Sequence, residues 1–200
     1  MKNFNLAVFI GLIFSIMLSS FSVFASDCDD IRHDVLRLHI LADSDSKEDQ
    51  TLKLQVRDKI LSLDATLFSQ ALNLSDAKNI AASQLQNIKE IAEAEIKARG
   101  YDYKVKVELK NMYFSTREYD TFTLPAGKYD AVRITIGSGA GKNWWCVLYP
   151  PLCIPAASSQ SEFDDLLTKE QIEIVGNKQK YKFKFATVEI YEKLKNILFD

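Results

Sequence analysis

At Gly100 the hydrophobic period of this chain changes from helical to two. Two long helical stretches precede it. The first runs from about Lys47 to Leu63, with Leu52, Val56, Ile60 and Leu63 on one narrow stripe. Leu54 and Leu61 fall almost opposite, so this helix is either sandwiched between layers or offers a second face to a partner. The second begins near Ser75, a good N-cap, and runs to Arg99, with Gly100 as its stop signal. Ala77, Ile80, Leu85, Ile88, Ile91, Ala92 and Ile96 cover one side of it, as in a helix lying on a sheet. After Gly100, Tyr103, Val105, Val107 and Leu109 alternate with Lys104, Lys106, Glu108 and Lys110. A strand with one wet face requires a sheet that is at least partly antiparallel. The fold class that follows is α+β: an antiparallel or mixed sheet with helices mainly on one face.

The remaining segments fill in this frame. Val35 to Leu41 reads as a mostly buried strand, and Asp43-Ser44-Asp45-Ser46 after it as turn and helix-capping residues. Pro125-Ala126-Gly127 leads to a strand at Tyr129 to Ile136. Gly137-Ser138-Gly139-Ala140-Gly141 then turns the chain into Asn143 to Tyr149, and the pair reads as a hairpin. Pro150, Pro151 and Pro155 forbid regular structure beyond it. Residues 158–168 are polar and expected to be irregular. Tyr181, Phe183 and Phe185 alternate with Lys180, Lys182 and Lys184, which predicts a half-exposed strand, and a helix from about Val188 to Leu198 closes the chain.

The N-terminus has the order of a secretory signal. Lys2 is the only charge before Asp27, an apolar run spans Leu6 to Leu18, and Val23-Phe24-Ala25 offers a small-x-small exit. Cleavage after Ala25 is expected, leaving residues 26–200 as a single α+β domain. The apolar run is short for a bilayer span, which needs roughly 20 residues. The chain carries 25 Lys and Arg against 27 Asp and Glu, a net charge of −2, which argues against a nucleic-acid partner.

Few residues here could carry chemistry. The glycine loop lacks the Walker spacing, because Ile136 stands where the first glycine must be and Asn143 where Ser or Thr must be. It reads as a loop whose glycines permit positive φ. A nucleophilic Cys146 would need a histidine, and only His33 and His39 exist, with Asp43 or Asp45 as a possible orienting acid. Cys28, His33 and His39 have no recognisable metal-ligand spacing. No catalytic residue, metal or cofactor is expected. Cys146 and Cys153 are close enough to close a small loop, worth about 2.5 kcal/mol in the chain-entropy model, or else are two buried free thiols. Cys28 is expected to be free. His39, in a strand between Leu38 and Ile40, reads as structural. Trp144-Trp145 is the least ordinary feature. Adjacent strand residues point to opposite faces, so when one indole enters the core the other leaves it. Partner contact and simple packing both account for the outward ring.

Two segments together resemble a known family. One runs Arg37-Leu38-His39-Ile40-Leu41-Ala42-Asp43-Ser44-Asp45-Ser46 through Glu48-Asp49-Gln50 and Leu52-Lys53-Leu54 to Val56-Arg57-Asp58. The other is Leu124-Pro125-Ala126-Gly127, then Gly141-Lys142-Asn143-Trp144-Trp145-Cys146-Val147-Leu148-Tyr149-Pro150-Pro151-Leu152-Cys153. The chain resembles the stage II sporulation protein R family of endospore-forming bacteria. Asp43 stands where the family pattern has Asn, a swap that keeps turn and capping chemistry. The resemblance implies a protein made in the forespore and exported into the space between the septal membranes. It also implies a partner, a membrane-bound aspartic protease of the mother cell that processes the pro-form of the early mother-cell sigma factor, sigma E. Such a protein is a ligand rather than an enzyme, with no small-molecule substrate. The surface expected to meet the protease is Asn143, one of Trp144 and Trp145, and Tyr149, Pro150, Pro151 and Leu152. The competing class is a secreted Cys–His hydrolase acting on peptide or cell-wall material; a wall- or lipid-binding module is a third.

Overall fold

The structure is a computed structural model and describes residues 2–68, 70–119, 122–150, 167–176 and 178–199. The elements in chain order are α1 (Lys2–His33), β1 (Leu36–Leu41), α2 (Lys47–Leu67), α3 (Leu74–Ala98), β2 (Val105–Phe114), β3 (Arg117–Glu118), β4 (Thr123–Leu124), β5 (Gly127–Ile136), β6 (Asn143–Tyr149), α4 (Lys169–Gly176) and α5 (Lys178–Phe199). Packing groups them into two compact units. One holds residues 33–113 and 128–168, the other residues 1–32, 114–127 and 169–200.

The first unit is built on a four-stranded sheet of order β2-β5-β1-β6. β1 pairs in parallel with β5 and antiparallel with β6, so the sheet is mixed. The Gly137 N–H donates to Lys104 O at 2.9 Å and Asn111 Nδ2 to Asp130 Oδ1 at 3.1 Å, so β2 runs antiparallel to β5. Leu38 and Ile40 of β1, Val132 and Ile134 of β5, and Cys146 and Leu148 of β6 share one face. On it lie Leu52, Val56 and Ile60 of α2 and Ala77, Ala81, Ile88, Ala92 and Ile96 of α3, all buried. The two helices thus take the one-sided position that their stripes dictate. Leu61 packs against the same core and Leu54 is half-buried, which favours the sandwiched reading of α2. On the opposite face Arg37 is fully buried, its guanidinium 4.9 Å from the Tyr129 ring centroid.

Boundaries differ from expectation where local hydrogen bonding decides. α3 is capped by Asn73 rather than Ser75, because the Asn73 side chain accepts from Asp76 N at 2.9 Å. Gly100 ends it at φ +83, as a C-terminal glycine should. The hairpin is corrected: β5 and β6 are not neighbours, because β1 lies between them. Gly137 to Lys142 is therefore a crossover, although Gly137 and Gly139 do take positive φ, at +58 and +66.

In the second unit α1 and α5 meet. Phe24 stacks on Tyr181 and meets Phe185 edge-on, each with centroids 5.5 Å apart. Arg32 donates to Ala126 O at 2.8 Å and pairs with Asp29 at 2.8 Å and Glu192 at 3.2 Å. The expected strand at 180–185 is corrected to helix. Tyr181, Phe185, Val188 and Glu192 recur at helical spacing and are the residues of α5 turned inward, whereas Phe183 is 87% exposed. α4 was not foreseen, and residues 158–166 lie outside the described residues. α1 is a single helix of 32 residues, and Phe4–His33 is apolar and long enough to cross a membrane. That length suits a signal sequence or a membrane anchor.

Candidate interaction site

The site forms where β1 ends. Leu41 leads through buried Ala42 into Asp43-Ser44-Asp45-Ser46. Ser46 caps α2, its Oγ accepting from Asp49 N at 3.1 Å. The Asp49 carboxylate accepts from Ser44 Oγ, and this hydrogen bond holds it below the usual carboxylate value. A hydrogen bond to the same carboxylate pushes the Tyr103 hydroxyl up.

The glycine crossover is clasped onto this loop. The Ser138 N–H donates to Asp43 Oδ1 at 2.6 Å and Ser138 Oγ to Asp43 O at 2.9 Å. Ala140 N reaches Asp43 O at 3.1 Å, Gly141 N reaches Ala42 O at 3.0 Å, and Lys142 N reaches Asp45 Oδ1 at 2.6 Å. Glycine is required where the two segments touch. A Cβ at Gly137 would lie 2.1 Å from Asp43 Oδ1, and one at Gly141 would lie 2.2 Å from Ser44 O. Behind the clasp, Lys53 of α2 is 4% exposed. It donates to Lys142 O at 2.9 Å and Gln50 Oε1 at 2.6 Å, and burial lowers its pKa. The role of Asp43 is that of a side-chain oxygen acceptor, which Asn also offers, so the exchange at this position leaves the clasp intact.

The crossover delivers β6 beside β1, in the register Leu41↔Asn143, Ile40↔Trp144, His39↔Trp145, Leu38↔Cys146. The two indoles separate as alternation requires. Trp144 goes to the helix side, half-buried against the core, with the Arg57 guanidinium 4.3 Å from its ring centroid. Trp145 goes to the other side and stacks on His39, centroids 4.3 Å apart and planes 17° from parallel. Trp145 Nε1 donates to Asn143 Oδ1 at 2.7 Å. Asn143 is exposed, while Tyr149 and Pro150 are buried. Burial also pushes the Tyr149 hydroxyl pKa up. Of the residues expected to meet a partner, Asn143 is exposed, Trp144 and Trp145 are half-buried at the same end of the strand, and Tyr149 and Pro150 sit in packing. Pro151, Leu152 and Cys153 lie outside the described residues.

The same register bears on catalysis. Cys146 lies with Leu38 on the helix-facing side, whereas His39 lies with Trp145 on the other, so the sheet itself stands between that thiol and that imidazole. Cys28 is a buried free thiol. Among the described residues no three His, Cys, Asp or Glu are placed to hold a metal ion.

Lys53 and Arg57 were not singled out from sequence as parts of a site, and Asp43 and Asp45 were considered only as an orienting acid for a Cys146–histidine pair. Lys53 and Arg57 stand one helical turn apart and could have been seen as one face. Their partners became visible only with β6 beside β1.

Both segments singled out for their resemblance thus converge here: β1, its loop and α2 on one side, the glycine crossover and β6 on the other. The family model for stage II sporulation protein R matches residues 32–159, which contain the whole clasp. The chain belongs to the stage II sporulation protein R family. It is 40% identical over 118 residues to stage II sporulation protein R of Bacillus subtilis (strain 168), a match covering 59% of this chain and 53% of that protein. The chain therefore aligns with about half the length of that curated relative. No solved structure matches it. The family segment contains the β1–β6 pairing, α2 and α3; α4 and α5 lie beyond it.

Proposed function

We propose that this chain is an exported intercompartmental signal of endospore formation. In this reading it acts in the septal intermembrane space and activates the membrane-bound aspartic protease of the mother cell that processes pro-sigma E. The observation that carries the reading is the meeting of the two family segments in one rigid clasp that ends in the Asn143–Trp145 display. A signalling ligand needs such a feature, a fixed aromatic edge whose presentation costs little entropy on binding. It must also bind the active state of the protease better than the inactive one, since only differential affinity shifts an equilibrium. The apolar α1 supplies the route out of the forespore, as cleaved signal or as anchor. A Cys146–Cys153 bridge belongs to this reading and would tie the chain beyond Pro150 back to β6.

The hydrolase alternative asks for a Cys146–His39 dyad, and the β1–β6 register works against it. The deciding experiment is co-expression of this chain with the candidate protease and its pro-sigma substrate in a non-sporulating host. Removal of the pro-sequence only when this chain is present and exported is the expected result. Processing that ignores this chain, or that needs it in the same compartment as the substrate, would remove the signalling role.

A further inference from the structure

The last helix has two apolar faces, and its own unit uses one of them. Tyr181, Phe185, Val188 and Glu192 of α5 turn inward, toward Phe24 and Arg32 of α1. At 3.6 residues per turn, Phe183, Ile190, Leu194 and Ile197 fall within about 60° of one another on the opposite side. They are 87%, 60%, 54% and 76% exposed. An apolar stripe of this length on a water-facing surface marks contact with something. Its flanks are basic: Lys182 and Lys193 on one edge, Lys184 and Lys195 on the other. Glu189, on the Lys182 edge, is engaged by Lys193 at 2.9 Å and by Thr116 N at 3.3 Å. An apolar stripe between two rows of lysine suits a helix lying in a bilayer interface. The apolar side chains enter the acyl region and the lysine stems carry their charges out to the headgroups.

A second observation selects a bilayer over another protein. The same unit holds α1, whose apolar residues from Phe4 to Leu18 are exposed. Phe21 of α1 meets Tyr191 of α5 edge-on at 6.4 Å, and Lys184 Nζ reaches Ser20 Oγ at 3.5 Å. The outer face of α5 therefore continues into the surface of a helix with the composition and length of a membrane span.

We propose that α5 is an interfacial helix that rests its Phe183, Ile190, Leu194 and Ile197 stripe on an anionic lipid surface. The role does not depend on the protease, because it needs only lipid. The test uses the full chain in vesicles of phosphatidylcholine with phosphatidylglycerol. An environment-sensitive fluorophore is attached through Leu194→Cys and, as the aqueous reference, through Lys110→Cys on β2. Cys28 is buried, so mass measurement should show one label per chain. At position 194 the emission should shift to the blue, be quenched by brominated acyl chains and resist iodide, while at 110 iodide should quench freely. Exchanging Lys182, Lys184, Lys193 and Lys195 for Gln, or removing phosphatidylglycerol, should abolish the shift at 194. Iodide quenching at 194 equal to that at 110 overturns the proposal. So does shielding from iodide without bromolipid quenching, which would mean a protein cover, or an unchanged shift in neutral vesicles.

Discussion

Each tryptophan of the pair owes its role to one neighbour. Trp144 rests on the core under Arg57, so Trp144→Ala should cost about 3 kcal/mol and show as a clear fall in melting temperature. Trp145 stacks on His39 at the exposed end of β6. Trp145→Ala should fold and be exported, yet fail to trigger sigma-factor processing. Equal melting losses for both variants, or normal processing by both, would move the contact surface elsewhere. The acidic loop makes a different kind of prediction. Asp43→Asn keeps the acceptor for Ser138 N and should be close to neutral, whereas Asp43→Ala leaves that exposed N–H to water and should cost about 0.5–1.5 kcal/mol. Asp49 responds to pH. Its folded pKa is depressed below 3.8, so its stabilising contribution is complete above that value and disappears as pH falls through the folded pKa. Asp49→Asn should therefore flatten the acid limb of the stability curve while lowering stability at neutral pH. An acid limb identical to that of the unmodified chain would show that the Ser44 bond contributes nothing.

At the scale of elements, long periodic stretches were legible and strand neighbours were not. The stripes of α2 and α3 are set by residues a few positions apart, and they landed on the sheet as their spacing says. The order of the sheet depends on which distant strand fits between two others. β1, buried on both faces, with Leu36, Leu38 and Ile40 on the helix side and Arg37 and His39 on the other, takes the central place beside β5. The glycine segment that resembles a hairpin turn must then cross over it, held by Asp43 and Asp45. The clasp was hidden for the same reason. Local alternation also misled at 180–185, where three aromatic–lysine pairs fit period two but Phe185, Val188 and Glu192 continue a helical stripe beyond them. α1 carries its own consequence. Phe24 is 3% exposed between Tyr181 and Phe185, so Phe24→Ala should cost about 3 kcal/mol in the uncleaved chain. Removal of residues 1–25 should cost at least as much. N-terminal sequencing of the exported protein, paired with its melting temperature, reads both effects. An exported chain that starts at Ser26 and melts as high as the intact one would show the Phe24 contact to be dispensable.

For the whole molecule, what separates a ligand from an enzyme is whether any reactive group must survive. A hydrolase built on Cys146 needs a free thiolate beside an imidazole. In this fold Cys146 faces the helices with Leu38, while His39 faces away under Trp145. A ligand needs only the shape that the sheet and the clasp impose. The two demands diverge in one variant, the double exchange of Cys146 and Cys153 for Ser. If these two form the bridge, its loss removes a constraint on a loop of about eight residues, worth about 2.5 kcal/mol in the chain-entropy model. The melting temperature should fall by several degrees. The reduced unmodified chain should melt near the double variant, and non-reducing peptide mapping should show the linked peptide only in the unmodified chain. Processing of pro-sigma E in the co-expression assay should persist at a temperature well below the lowered midpoint, because the Asn143–Trp145 edge is held by β1 and the clasp rather than by sulfur. Loss of processing by a variant that is still folded and exported, together with alkylation of both thiols in the unmodified chain without reductant, would reverse the assignment and make Cys146 a working nucleophile.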